Sequence, residues 1–355
     1  MLGVAGCVPS WWPGASGPTP YTVVTHPRMT ELPVPADNPI TVEGVALGRR
    51  LFYDPLLSED RSLSCASCHQ QQHAFSDPRP LSVGVNGAVG RRNAMPLFNL
   101  AWSSFFFWDG RSATLEDQVL RPIQSDVEMA RDLDALSTDL RANERYQAMF
   151  AAAFPGEPIG PDTTAKALAQ FVRTIVSFDS PWDATERTYD DAQTRGHQLF
   201  FRVIPEIGRA MGLVCNECHQ DRPGVRPEWE GHTAGTFAID DLRNNGLPDP
   251  ADSGYREVTG KAEDGGRFKV PSIRNLSFTG PYMHDGRFAT LEETIAHYNG
   301  ALAPGADPAL LHNGQAVPLR LTPSDLADVV AFFKLFDGKD ILTNPAWSDP
   351  FKADP

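Results

Sequence analysis

Apolar residues recur at three- and four-residue spacing over Leu115 to Leu120, Ala165 to Phe178, Leu291 to Tyr298 and Ser324 to Leu335, the periodicity of amphipathic helices packed on a core. Alternating apolar and polar positions, the mark of half-buried strands, are scarce. From Cys7 to about Pro39 the chain is rich in Pro, Gly, Ser and Thr and shows no apolar period. That stretch predicts a tether or a wrapping arm, with the folded part starting near Val42. The 31 prolines and 29 glycines require long connections between the helices, as where loops line buried cofactors. The predicted fold is mainly α with long loops.

An internal repeat divides the chain. Trp108 to Glu116 matches His284 to Glu292 at an offset of 176 residues, with seven of nine positions identical. Each copy contains Asp-Gly-Arg, a plausible turn into a helix, followed by Thr114 or Thr290 as the predicted N-cap. Each copy also follows its own Cys-x-x-Cys-His segment, and each of those follows a Leu-Phe pair, Leu51-Phe52 or Leu199-Phe200. The repeat predicts two tandem cytochrome c-like haem domains, 42–185 and 186–355, behind an N-terminal segment 1–41.

The five cysteines sharpen this picture. Cys65, Cys68 and His69 form one segment and Cys215, Cys218 and His219 the other, leaving Cys7 alone. Two thiols three residues apart bond the two vinyl groups of one haem, and the adjacent histidine ligates its iron. A structural zinc would need both pairs at one metal, and the long stretch between them gives that no local support. Two covalently bound haem c groups are expected. Thioether attachment of haem takes place in bacteria outside the cytoplasmic membrane, so a periplasmic location is expected too. Leu2, Val4, Ala5, Gly6 and Cys7 resemble the tail of a lipoprotein signal with Cys7 as the lipidated residue; the alternative is an unmodified cysteine in a tail. No later run is long and apolar enough to span a membrane. A net charge of −14 argues against nucleic acid and is compatible with a basic protein partner.

Function turns on the sixth position of each iron, filled in electron carriers and open in haems that activate oxidants. The repeat places Tyr298 opposite Pro122, so a phenol that can bind iron in the second half is replaced by a ring with no donor in the first. A closed second haem and an open first haem follow. His297 is a rival to Tyr298, His73 lies too close to His69 to share its iron, and Met129 and Met283 read as packing residues.

With these residues in view, the chain resembles the bacterial di-haem cytochrome c peroxidase and MauG family over residues 42 to 336. The matching segments are the two haem motifs, Arg92-Asn93, Phe107 to Arg111, Pro122 to Gln124, Glu128-Met129, Val270 to Ser272 and Gly280 to Gly286. Ordinary members carry a Met where this chain has Tyr298, which resembles the MauG subgroup. Many also carry a histidine that caps the first iron, and none occurs here between His73 and Trp108.

The resemblance implies roles for several residues. Glu128 would move a proton between the oxygens of hydrogen peroxide, Gln118 would orient peroxide or water, and Pro122 would leave space on the first iron. Trp108 would relay oxidising equivalents between the haems. Asn93, Thr279 and Pro281 would hold a calcium ion through oxygen donors. The implied activity is a peroxide-driven, bis-Fe(IV)-type oxidation of a tryptophan or tyrosine on a partner protein, leaving through a solvent-facing tryptophan such as Trp182 or Trp229. The alternatives are a peroxidase fed by a small electron-donor protein and a non-enzymatic electron carrier.

Overall fold

The computed structural model describes residues 17–27, 31–201, 215–219, 238, 240–300, 302–312, 315–316 and 320–352. Its helices are α1 (Val42–Tyr53), α2 (Leu115–Gln124), α3 (Leu133–Ala142), α4 (Glu144–Ala153), α5 (Pro161–Thr174), α6 (Asp191–Phe201), α7 (Cys215–Cys218), α8 (Arg256–Thr259), α9 (Leu291–His297), α10 (Pro323–Phe333) and α11 (Asp340–Thr343). Strand structure among the described residues is confined to antiparallel two-residue pairs, β1 (Leu242–Arg243) with β2 (Phe268–Lys269) and β3 (Leu311–His312) with β4 (Gln315–Ala316). The fold is mainly α with long loops. No described helix is long and apolar enough to cross a membrane.

Two hydrophobic cores organise the chain. In the first, α1 lays Leu47, Leu51 and Phe52 against α5, which contributes Leu168, Phe171 and Val172. In the second, Phe200 of α6 packs on Val329, Val330 and Phe332 of α10. Both helix crossings pivot on a glycine three residues before the Leu-Phe pair. A Cβ on Gly48 would stand 1.9 Å from the Ala167 carbonyl oxygen, and one on Gly196 2.0 Å from that of Asp328. The helices approach closely only because no side chain lies between them.

The repeat is reproduced in the backbone. Thr114 and Thr290 cap α2 and α9, accepting from the Asp117 N–H at 3.1 Å and the Glu293 N–H at 3.2 Å. Isolated bridges join Phe106 to Ser112 and Tyr282 to Phe288, at the same offset. Gly110 and Gly286 both adopt φ 67°, and Asn99 and Asn275 are left-handed at 56° and 58°. In both halves the asparagine side chain bonds backbone and hydroxyl groups of the crossing connection. This explains why α5 stops at Thr174, short of the periodic pattern that runs to Phe178. Asn99 takes the Ile175 carbonyl through its N–H and the Ser177 N–H through its side chain, which pulls those residues out of the helix.

Two segments depart from a simple tandem. Residues 340–352, in the second span by sequence, pack on the first core. Ile341 and Trp347 are buried there, Tyr53 donates to the Trp347 carbonyl at 2.7 Å and Arg49 to that of Ser348 at 2.7 Å. Apolar burial outweighs sequence proximity in that placement. The described part of the N-terminal segment wraps the first half, with the Tyr21 N–H on the Ile40 carbonyl at 2.9 Å and the Thr19 hydroxyl on Glu43 at 2.9 Å. Cys7 lies outside the described residues.

Candidate haem and active sites

The first motif begins with a 3-10 turn, Cys65–Ser67, that returns the His69 N–H to the Cys65 carbonyl at 2.9 Å. The His69 Nδ1 lies 3.1 Å from the Phe75 carbonyl oxygen. With Nδ1 as the donor to that carbonyl, Nε2 is the nitrogen whose lone pair can bind a metal. Ala74 and Phe75 are fully buried at φ 50° and 59°. Two successive left-handed residues without a glycine are unfavourable, and they turn the Phe75 carbonyl back on His69. His73 sits in the adjoining 3-10 turn, Gln71–His73.

The residues expected on the far side of the first haem belong to α2 and the turn after it. Gln118 and Pro122 are four residues apart on α2 and share one face. Pro122 cannot donate to the Gln118 carbonyl, and the helix ends two residues later. The chain then folds back, with the Met129 N–H on the Pro122 carbonyl at 3.2 Å and the Val85 N–H on the Glu128 carbonyl at 2.8 Å. Glu128 is thereby set beside Pro122. Burial raises its carboxyl above the ordinary glutamate range, against a Ser125 hydrogen bond and the charge of Arg111. Burial, Cys68 and the Glu128 charge in turn push the free Cys65 thiol up to about 12, so Glu128 lies within electrostatic reach of the first motif. Arg111 stacks on the Phe107 ring at 3.5 Å and pairs with Asp109 at 3.0 Å.

In the second half, Cys215, Cys218, His219 and Tyr298 line one cavity of about 390 Å³ whose walls include Leu199, Phe200, Ile273, Leu291 and Phe333. Tyr298 is the C-cap residue of α9. His297 does not line the cavity; its Nε2 meets the Asn245 carbonyl at 3.0 Å. Burial raises the Tyr298 phenol well above its ordinary value, opposed by a hydrogen bond from the Asn245 side chain. Met283 lines the cavity and accepts from the Asn245 amide at 3.4 Å, while Met129 is in the first core. Two thiols, an imidazole and a phenol around an apolar cavity fit one covalently held haem.

Trp108 lies on the wall of this same cavity, donating its indole N–H to the Asn93 carbonyl at 2.9 Å. Asn93, Thr279 and Pro281 line it as well. The Asn93 N–H reaches the His284 carbonyl at 2.7 Å and its side-chain amide the carbonyls of Arg79 and Pro80, so the residue ties the two halves together. Lys269, whose N–H meets the Trp108 carbonyl at 2.7 Å, and Arg243 also line the cavity. Sequence reasoning missed Asn245, Arg243 and Lys269, which lie in irregular segments or two-residue strands with no motif. Trp182 is corrected: it is buried in the second core among Phe332, Phe336 and Tyr189 and does not face solvent. Its apolar ring is taken up by the aromatic cluster, and Trp229 lies outside the described residues.

Comparison with known proteins agrees with this geometry. The di-haem cytochrome c peroxidase family profile matches residues 42–191. The methylamine utilization protein MauG of Methylorubrum extorquens is 34% identical over 312 residues, covering 86% of this chain and 82% of its own. The cytochrome c551 peroxidase of Pseudomonas aeruginosa is 30% identical, covering 88% and 83%. The crystal structure of a MauG-like protein associated with microbial copper homeostasis superposes with a TM-score of 0.78 at 32% identity, covering 93% of this chain and 99% of that one. With two haem c sites in a repeated helical fold, the chain belongs to the di-haem cytochrome c peroxidase and MauG family.

Proposed function

We propose that this protein, a haem-dependent oxidoreductase acting with hydrogen peroxide, is of the MauG type and oxidises a tryptophan or tyrosine on a partner protein in the periplasm. The observation that carries this reading is the Tyr298 phenol on the cavity wall with the second haem motif, at the position that the repeat pairs with Pro122. When bound, the two haems supply peroxide reduction at the first site and storage of oxidising equivalents across both. Tyr298 is the intended oxygen ligand of the second iron, and Asn245 donates a hydrogen bond that favours its anionic form. A hard anionic donor favours the higher oxidation state and disfavours the easily reduced centre an electron-storing peroxidase needs. Glu128, whose carboxyl burial raises above the ordinary glutamate range, carries the proton between peroxide oxygens, with Gln118 orienting the molecule beside Pro122. Trp108, anchored through Asn93, connects the two sites. Oxygen atoms of Asn93, Thr279 and Pro281 suit a calcium ion at the cavity edge.

A peroxidase drawing electrons from a small redox protein is the second reading, favoured by the likeness to cytochrome c551 peroxidase. Electron paramagnetic resonance of the ferric protein, before and after one equivalent of peroxide, tests the proposal. One high-spin and one low-spin signal that vanish together, without prior reduction, are expected. A high-spin signal that responds only after the other haem has been reduced supports the peroxidase, and two low-spin signals indifferent to peroxide overturn both readings.

A further inference from the structure

The second core contains a run of aromatic rings in contact from the haem cavity to the surface, tilted or edge-on from Phe200 to Trp182 and stacked from Trp182 outward. Phe200 lines the cavity and meets Phe332 at 5.4 Å between ring centres; Phe332 meets Trp182 at 5.7 Å. Trp182 lies parallel to Tyr189, within 7° at 6.2 Å, and His197 stacks beside both at 6.2 and 5.8 Å. Trp182 is fixed through its neighbour Asp183, which the buried Arg274 grips at 2.7 and 2.9 Å. Tyr189 is half-buried, and around it Glu186, Asp190 and Asp191 are exposed, while the neighbouring Arg195 is paired with Asp328 at 2.7 Å.

We propose that oxidising equivalents leave the second-haem cavity through Trp182 to Tyr189, and that the acidic surface around Tyr189 receives a partner protein that is basic at its contact face. This rests on the peroxide-driven reading above and names its exit. Trp182 is the oxidisable ring one side-chain layer behind the cavity wall, and its parallel neighbour is a phenol at the surface. The Arg187 guanidinium, 4.1 Å above the Trp182 ring, opposes positive charge on the indole. A hole therefore passes on to Tyr189, where release of the phenol proton to water neutralises it. The balance closes: reduction of one hydrogen peroxide to two waters takes up two protons and two electrons. Each electron leaves the partner residue for Tyr189, which regains its proton, and moves inward from Tyr189 through Trp182. The carboxylates at the rim attract a basic face and steer its approach.

The test uses the full-length, haem-loaded protein with one equivalent of peroxide, no partner, and a nitroso spin trap, followed by digestion and mass spectrometry. Haem absorbance is followed in parallel. An adduct on Tyr189 is expected, lost in Tyr189→Phe and strongly reduced in Trp182→Phe; Arg187→Gln is expected to shift the modification from a Tyr189 adduct to oxidised Trp182, which is too buried to meet the trap. Haem bands that respond to peroxide while Tyr189 carries no adduct, or an adduct undiminished in Trp182→Phe, overturn the exit route and leave the peroxide reaction standing. Haem bands that do not respond overturn the functional reading itself. Because Trp182 is a core residue, the half-buried Tyr189→Phe and the Arg187→Gln shift carry the test if Trp182→Phe does not fold.

Discussion

Positions 122 and 298 stand at the same point of two copies of one structural plan, a ring without a donor in one and a phenol in the other. Replacing Tyr298 by Phe removes the oxygen while keeping the ring. The expected result is loss of the low-spin ferric signal of the second haem, with peroxide binding at the first haem retained, read by paramagnetic resonance and absorbance; an unchanged low-spin signal counts against Tyr298 as ligand. At Glu128, burial raises the carboxyl. A carboxyl raised in the folded state stabilises the fold only while protonated, so its contribution is complete below the unfolded value and is lost as pH rises through the folded one. Glu128→Gln is therefore expected to gain stability over the parent as pH rises from acid to neutral, in denaturant titrations. Its reaction with peroxide is expected to slow by about 10²–10⁴-fold, the usual worth of a placed proton-transfer group.

At the scale of elements, each half depends on one helix pair meeting at a glycine. Gly48→Ala or Gly196→Ala places a methyl group against a backbone carbonyl that cannot rotate away. Overpacking of this kind costs about 1–3 kcal/mol, and each variant is expected to lose that much unfolding free energy, read from denaturant titration as a lower midpoint. The elements that reach the haem sites are short by comparison. α2 carries Pro122 in its last turn and α9 ends on Tyr298 as its C-cap, and both helices are set in place by a threonine cap and the Asp-Gly-Arg turn before it. Helices this short are marginal alone, so their geometry depends on the caps and on the tertiary contacts.

At the scale of the molecule, the halves are joined by charge as well as by the C-terminal segment. Arg92 of the first half bonds Asp109 at 2.5 Å and grips Asp252 of the second at 2.6 and 2.7 Å, all three nearly buried. The partnership holds the Asp252 carboxyl down to about 2 from an ordinary 3.8. A depressed carboxyl adds stability that is present above its unfolded value and lost as pH falls through the folded one. Between about pH 4 and 2 the junction is expected to loosen, seen as expansion in solution scattering, and Asp252→Asn is expected to show the looser junction already at neutral pH. The nearly buried guanidinium would lose its two-bond partner and keep the single bond to Asp109, which makes that substitution costly.

Much of this was legible in the chain. The haem motifs, the repeat, the caps at Thr114 and Thr290, the helical class and the Pro122 to Tyr298 asymmetry rest on spacing and local chemistry, which survive without knowledge of the fold. A thioether pair needs only its two cysteines and histidine, and a helix cap only its next turn. Other features needed three dimensions. The repeat already favours Tyr298 over His297, but that the His297 imidazole meets the Asn245 carbonyl, a contact across 52 positions, is a tertiary feature. Asn245, Arg243 and Lys269 reach the cavity from irregular chain, Trp182 is turned inward by an aromatic cluster gathered from distant helices, and the last residues return to the first core. Periodicity reports which face of a helix is apolar but not which partner covers it, and loop side chains carry no period at all. Their positions were decided by long-range burial and by hydrogen bonds between segments far apart in the chain.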